Sequence, residues 1–344
     1  MIRRLCLALL AVAVTASFAM AQQGNWKGRF TNAEWQNRTL RAQIVGESGV
    51  DYRAYIYVGE KDGQESRGIV KGKTQKGGTF FQGDIDLGEK LGGVFTLDGK
   101  ILKGVFSGEL QSKSGGPNGV FTMERVFLQS PTLGQKPPAD AVVLMMDQGD
   151  TKEEQQALYP KQVEVFDREW DVQKRWGVMG DGSIRMFPSS IETKKEFGDA
   201  QYHIEFKTPY MPNERGQARG NSGVYVHGRY EIQVLDSFTD EPRDNHCGGI
   251  YQQAVPLSNP CLPPGEWQTY DITFRAPRFN ANGQKTENAR LTVKLNGTVI
   301  HDNLELRHPT PGGRGGQEAP TGILHLQDHN DYVSYKNIWV RPIK

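Results

Sequence analysis

Alternation of apolar and polar positions is the dominant pattern along this chain, and the 3.6-residue period of a helix is rare. Residues 52–58 read Tyr-Arg-Ala-Tyr-Ile-Tyr-Val, the two-residue period of a strand with one wet face. The same theme recurs at 26–30, 79–85, 93–97, 101–106 and 119–127, each run split from the next by Gly-rich turns. Residues 24–128 therefore read as a small antiparallel β-meander or barrel. No acids, histidines or cysteines gather there at a catalytic spacing, so its role reads as accessory. Between 129 and 140 three prolines remove backbone donors and stiffen the path, which reads as a linker. A second domain, 141–344, opens with a buried-strand run at 141–146 and a helix at 151–158. Strands follow at 182–187, 201–207, 223–227, 231–235, 269–275, 290–295, 298–301, 322–327 and 333–340. Short strands without intervening crossover helices predict an antiparallel sandwich, so the whole chain is all-β. Asn296-Gly297, between two alternating runs, predicts a type I′ hairpin, which needs positive φ twice.

The first residues change the picture of where the chain works. Two arginines, an apolar run over 5–14 and small residues up to Ala21 have the order of a secretory signal peptide, residues 1–21. The expectation is an exported protein, periplasmic or extracellular, with no membrane segment after cleavage. Cys6 is lost with the leader, and Cys247 and Cys261 remain as a candidate disulfide in a compartment that permits one. With 41 basic against 40 acidic residues, nothing favours nucleic acid or an anionic membrane surface as partner.

The chemistry concentrates in residues 221–236, Asn-Ser-Gly-Val-Tyr-Val-His-Gly-Arg-Tyr-Glu-Ile-Gln-Val-Leu-Asp. As a hairpin with a three-residue turn at 228–230, it pairs His227 with Glu231 and Tyr225 with Gln233. One face then carries Tyr225, His227, Glu231 and Gln233, and the other carries Val224, Val226, Ile232 and Val234. A distant strand sends His325 and Gln327 out together and ends in Asp328-His329.

These stretches resemble the 3-keto-disaccharide hydrolase domain family. The matching segments are Ala141-Val-Val-Leu144, Thr193-Lys-Lys-Glu-Phe-Gly-Asp199, Gly220-Asn-Ser-Gly-Val-Tyr225, Tyr230-Glu-Ile-Gln-Val-Leu-Asp236, Gly265-Glu-Trp267, Leu295-Asn-Gly297, Leu326-Gln-Asp-His329 and Tyr335-Lys-Asn-Ile338. Where the family usually has glycine after Leu-Gln-Asp-His, this chain has Asn330, a residue that tolerates left-handed φ. The resemblance implies a concanavalin A-like jelly roll and a sugar already oxidised to a ketone at C3. Such a ketone acidifies the C2 hydrogen, so the C1 substituent leaves by elimination and water adds afterwards. A base, an acid and an enolate stabiliser are needed. Face pattern and resemblance together nominate Glu231 or His227 as base and His329 or Asp236 as acid. Gln233, Asn221, Tyr225, Gln327 and His325 are the candidate sugar-binding residues. No cofactor is required by this route. The loop Asp240-Glu241-Pro-Arg-Asp244-Asn245-His246 has oxygen donors of the kind calcium takes but lacks EF-hand spacing, so a divalent metal is admitted rather than required. Two other readings remain open. Glu231-Ile-Gln-Val-Leu-Asp236 has the outline of the E-x-D-x-x-E signature of laminarinase-like β-glucanases, with Gln233 in place of the central acid. A lectin-like module would use the same fold without catalysis.

Overall fold

The computed structural model describes residues 22–60, 63–171, 176–185, 189–314 and 316–344; the expected leader, 1–21, lies outside them. The chain divides into two compact units, the first built from residues up to Leu128 and the second essentially from Gln129 onward.

The first unit is a closed antiparallel barrel of eight strands: β1 (Gly24–Phe30), β2 (Thr39–Gly46), β3 (Asp51–Gly59), β4 (Glu65–Gln75), β5 (Gly78–Asp86), β6 (Val94–Leu102), β7 (Val105–Ser112) and β8 (Gly119–Val126). Closure comes from β1, which pairs with β2 on one side and β8 on the other. Aromatic side chains fill the interior: Phe106 meets Trp26, Phe81 and Phe121 with ring centroids 6.2, 5.1 and 5.3 Å apart. Strand β4 eludes a hydrophobic-pattern reading because glycines hold two of its three buried positions, with Val70 at the third. A Cβ on Gly72 would lie 2.4 Å from the Phe81 ring, and one on Gly68 would lie 2.6 Å from Ile85. The large neighbours, not β4, supply the apolar volume there.

The second unit is a sandwich of two antiparallel sheets. Its elements are β9 (Val142–Met145), α1 (Lys152–Glu169), β10 (Trp170–Asp171), β11 (Gly177–Val178), β12 (Ile184–Arg185), β13 (Ile191–Phe197), β14 (Ala200–Lys207), β15 (Ser222–Val226), β16 (Tyr230–Val234), β17 (Gln268–Arg275), β18 (Arg278–Phe279), β19 (Lys285–Glu287), β20 (Ala289–Leu295), β21 (Thr298–Leu306), β22 (Gly322–Leu326) and β23 (Ser334–Pro342). One sheet runs β10-β13-β22-β15-β16, and the other runs β11-β12-β23-β14-β17-β20-β21, with β9 also on β23. Val224, Val226, Ile232 and Val234 from the first sheet join Ile204, Tyr270, Ile272 and Val293 from the second in one buried core. Asn296 and Gly297 take φ 50° and 79° between β20 and β21, the expected type I′ turn. Helix α1 starts at a capping box, Thr151 with Glu154, and continues through Pro160 well beyond the predicted stop. Tertiary bonds hold its second half: the Gln162 carboxamide donates to the carbonyls of Met146 and Asp147 and accepts from the Met146 N–H.

Residues 129–140, read from sequence as a spacer, are fastened to this unit. Thr132 donates to Asp271 (2.6 Å), the Gly134 N–H reaches Glu205 (2.6 Å), and Asn337 donates to the Gln135 carbonyl (3.1 Å). Beneath them lies a buried ionic network. His203 bridges Asp271 (2.7 Å) and Glu205 (3.2 Å) while stacking on Trp339, and Lys336 approaches Glu205 at 3.4 Å.

Candidate functional site

The site grows from the β15–β16 hairpin, whose observed register corrects the predicted one. Tyr225 lies opposite Glu231 and Gly223 opposite Gln233; the turn occupies 227–229, not 228–230. His227 and Gly228 both have left-handed φ, 55° and 64°, and the Arg229 N–H closes onto the Val226 carbonyl, as in a type I′ turn. The slip is an even number of residues, so Tyr225, Glu231 and Gln233 keep the predicted face. His227 does not. Its ring packs 4.5 Å from Phe274, its Nε2 faces the Gly198 carbonyl, and burial pushes it down to about 4. The structure therefore removes His227 from the group it was predicted to join.

The same sheet places further chemistry in line. Glu192 on β13 pairs with His325 on β22, His325 with Tyr225, and Tyr225 with Glu231, forming one row across four strands. In the neighbouring row the Gln327 N–H bonds the Gly223 carbonyl. Gly223 is needed here for space: a Cβ would sit 2.4 Å from a Glu231 carboxylate oxygen and 2.8 Å from the Tyr225 ring.

Over these rows lies a pocket of about 130 Å³. Of the predicted site residues, Glu231, His329, Tyr225, Gln233, Asn221 and Gln327 all line it. Gln217, Tyr251, Pro311 and Gly312 line it too, and sequence reasoning missed them. The usable signal is the glycine-rich stretch at 312–316. Gly312 has φ 80°, and a Cβ there would come 2.8 Å from the Tyr225 hydroxyl, so the loop can cross the site only as glycine. Thr310 anchors the approach to that loop by accepting the Glu231 N–H (2.9 Å) and donating to the Arg229 carbonyl (3.0 Å). On the other side, Asn330 turns the chain after His329 with φ 65°, and Asp331 accepts the Asn221 N–H at 2.7 Å.

The polar groups in the wall are unevenly satisfied. The Asn221 amide donates to Gln217, while its Oδ1 is buried without a hydrogen-bond partner, as is Gln233 Oε1. Gln327 Nε2 donates to the Tyr225 hydroxyl at 3.0 Å. Two buried amide oxygens facing a small cavity are suited to accepting the hydroxyl hydrogens of a sugar. Burial raises Glu231 to about 7, against the lowering effect of a hydrogen bond from Tyr225. Among the described residues Glu231 is the one carboxylate lining the pocket.

The remaining predicted residues lie elsewhere. Asp236 is buried in an ion pair with Arg219 (3.2 Å), whose guanidinium also donates to the Asp236 carbonyl. Burial raises it to about 6 with Arg219 opposing. It follows a strand end and braces the turn, five residues from Glu231 on the other side of the hairpin. His325 sits behind the pocket, not in its wall. Its Nδ1 faces Glu192 at 3.0 Å, Glu192 is paired with Arg314, and its ring meets the Tyr225 ring edge-on at 5.1 Å. Burial, and then Arg314, push it down to about 4. Cys247 and Cys261 are free, buried thiols, so the expected disulfide is not formed. The two thiols face each other, and each also meets a hydroxyl: Tyr270 for Cys247 (3.2 Å) and Ser237 for Cys261 (3.6 Å). Among the described residues no three His, Cys, Asp or Glu side chains gather as metal ligands.

The profile of the 3-keto-alpha-glucoside-1,2-lyase-like domain matches residues 141–341. The chain belongs to that family. The protein is accordingly a carbohydrate-active enzyme of the glycoside hydrolase and lyase type, with the family domain confined to the second unit. Among solved structures, the chain is similar to a candidate glycosyl hydrolase from Parabacteroides distasonis at 33% identity, covering 60% of this chain and 85% of that one, TM-score 0.49. A second candidate glycosyl hydrolase from the same organism is 20% identical over 51% of this chain and 94% of its own, TM-score 0.37. No curated protein matches the chain.

Proposed function

We propose that the lyase-like domain cleaves 3-keto-glycosides, including 3-keto-disaccharides, by removing the C2 proton, expelling the C1 substituent and hydrating the product. The observation that carries this reading is the single carboxylate in the pocket. Direct hydrolysis of an unoxidised glycoside uses two carboxyl groups, about 5 to 5.5 Å apart in a retaining enzyme. Among the described residues Glu231 has no such companion in the pocket, and Asp236 is held by Arg219 outside it. Elimination next to a ketone asks for one base working near neutrality, and Glu231 is raised to about 7. His329 lies in the wall and is exposed on its loop, and in this reading it protonates the departing oxygen. Asn221 Oδ1 and Gln233 Oε1 accept ring hydroxyls. The volume, about 130 Å³, is well below the ~300 Å³ or more of drug-sized sites, which suits one sugar ring with its substituent outside. The route needs no cofactor, and the leader-like run at 1–21 supports action outside the cytoplasm.

The test is to offer the purified protein matched glycosides with and without a C3 ketone, before and after chelation. Cleavage of the oxidised member alone is the expected result. Cleavage of the plain glycoside alone would return the laminarinase-like reading, and binding without cleavage of either would return the lectin-like one.

A further inference from the structure

Elimination next to a ketone passes through an enolate, and its oxygen needs a donor held in place before the reaction. Two of the side-chain amides in the pocket wall have their hydrogens engaged. Asn221 and Gln233 offer buried oxygens, the Asn221 amide hydrogens are taken by Gln217, and the Gln327 amide is turned toward Tyr225. A sugar hydroxyl can donate to those oxygens, whereas a ketone oxygen cannot. The Tyr225 hydroxyl is differently placed. It accepts from Gln327 at 3.0 Å, which directs its own hydrogen away from that side, toward the Pro311 carbonyl at 3.3 Å and the Glu231 carboxylate. Its strand position lies directly opposite Glu231. The ring is wedged against His325, which Glu192 and Arg314 hold in turn. In a substrate, C2 and the oxygen on C3 are neighbours, so a base and an oxyanion donor must sit side by side, as these two do.

Resting on the elimination reading above, we infer that Tyr225 is a third catalytic residue, whose phenol holds the C3 oxygen while it carries the enolate charge. In the first step a Glu231 oxygen takes the C2 hydrogen as a proton. The C–H electron pair forms C2=C3, and the carbonyl π pair moves onto the C3 oxygen, which accepts the Tyr225 hydrogen bond. In the second step that pair re-forms the carbonyl, the C2=C3 pair shifts to C1=C2, and the C1–O bond breaks with its electrons on the departing oxygen, which takes a proton from His329. Water then delivers hydroxide to C1 and a proton to His329, while Glu231 returns its proton to C2.

The test uses a ketone with no exocyclic C1 substituent to expel, 3-keto-1,5-anhydroglucitol, with the full-length protein in D2O, following loss of the C2 hydrogen signal by NMR. Wild type should exchange that hydrogen, and Tyr225→Phe should slow the exchange roughly 10²- to 10³-fold, the cost of removing one oxyanion donor. Should Tyr225→Phe misfold, 2,3-difluorotyrosine at position 225 keeps the shape while acidifying the phenol, and its exchange rate should move away from wild type. Exchange at the wild-type rate in either variant overturns the inference and leaves Glu231 as base untouched, even if cleavage of poor leaving groups is slowed. Absence of exchange in wild type takes down the elimination reading and this inference with it.

Discussion

Glu231→Gln separates what the carboxylate does for chemistry from what it costs the fold. The residue is 3% exposed, and burial raises it from an ordinary 4.5 to about 7. A group raised in the folded state contributes stability fully below its unfolded value, and that contribution is lost as pH rises through the folded value. At about 1.4 kcal/mol per factor of ten in proton affinity, the interval from 4.5 to about 7 amounts to roughly 3 kcal/mol. Glutamine keeps the size and cannot ionise. At pH 4 the variant and wild type should therefore be nearly equally stable, and by pH 8 the variant should be ahead by up to roughly 3 kcal/mol. Denaturant unfolding of both proteins between pH 4 and 8 measures the difference directly. Over the same range wild-type kcat/KM on a 3-keto-glycoside should rise with a midpoint near 7, and the variant should be inactive throughout. A stability difference that stays flat across that range would show that the buried carboxylate is not carrying the strain assigned to it. Full activity in the variant would remove Glu231 from the mechanism.

Gly223→Ala puts a methyl 2.4 Å from the Glu231 carboxylate; displacing that group by about 1 Å should cost roughly 10²-fold in kcat/KM, while Gly177→Ala, whose Cβ meets nothing within 4 Å, should leave activity unchanged. Glu205→Ala takes one carboxylate from His203 and Lys336 but leaves them Asp271 and Asp147, and should cost the second unit about 1–3 kcal/mol by denaturant unfolding. Burial lowers His203, but its bonds to Asp271 and then Glu205 outweigh this and hold it raised, so wild type should lose part of that network's stability as pH rises past 6.5, and His203→Gln should not. Cys247 and Cys261 should react with a thiol reagent in the unfolded protein without prior reduction, and only slowly in the folded one; no reaction on unfolding would mean a disulfide.

Much of this protein was written in its local pattern. Alternation marked many of the strands, though not β2, β4 or β13, Asn296-Gly297 marked its turn, and the proline-bearing segment marked the border between the barrel and the sandwich, because each depends on residues adjacent in sequence. The pairing of Tyr225, Glu231 and Gln233 on one face was legible for the same reason, since a strand's faces follow from parity alone and survive a register slip of two. What parity could not give was the end of the strand. His227 adopts left-handed φ and turns into the core, which depends on Phe274 and Gly198 from elements far along the chain. Asp236 was likewise indistinguishable from a catalytic acid until Arg219 was seen beside it, and β4 was hidden because its partners' side chains fill the space its glycines leave. The sequence by itself determined which residues could share a surface. Only the tertiary structure decided which of them meet across a cavity, because burial, ion pairing and the raised Glu231 carboxyl depend on contacts between strands that no local pattern encodes.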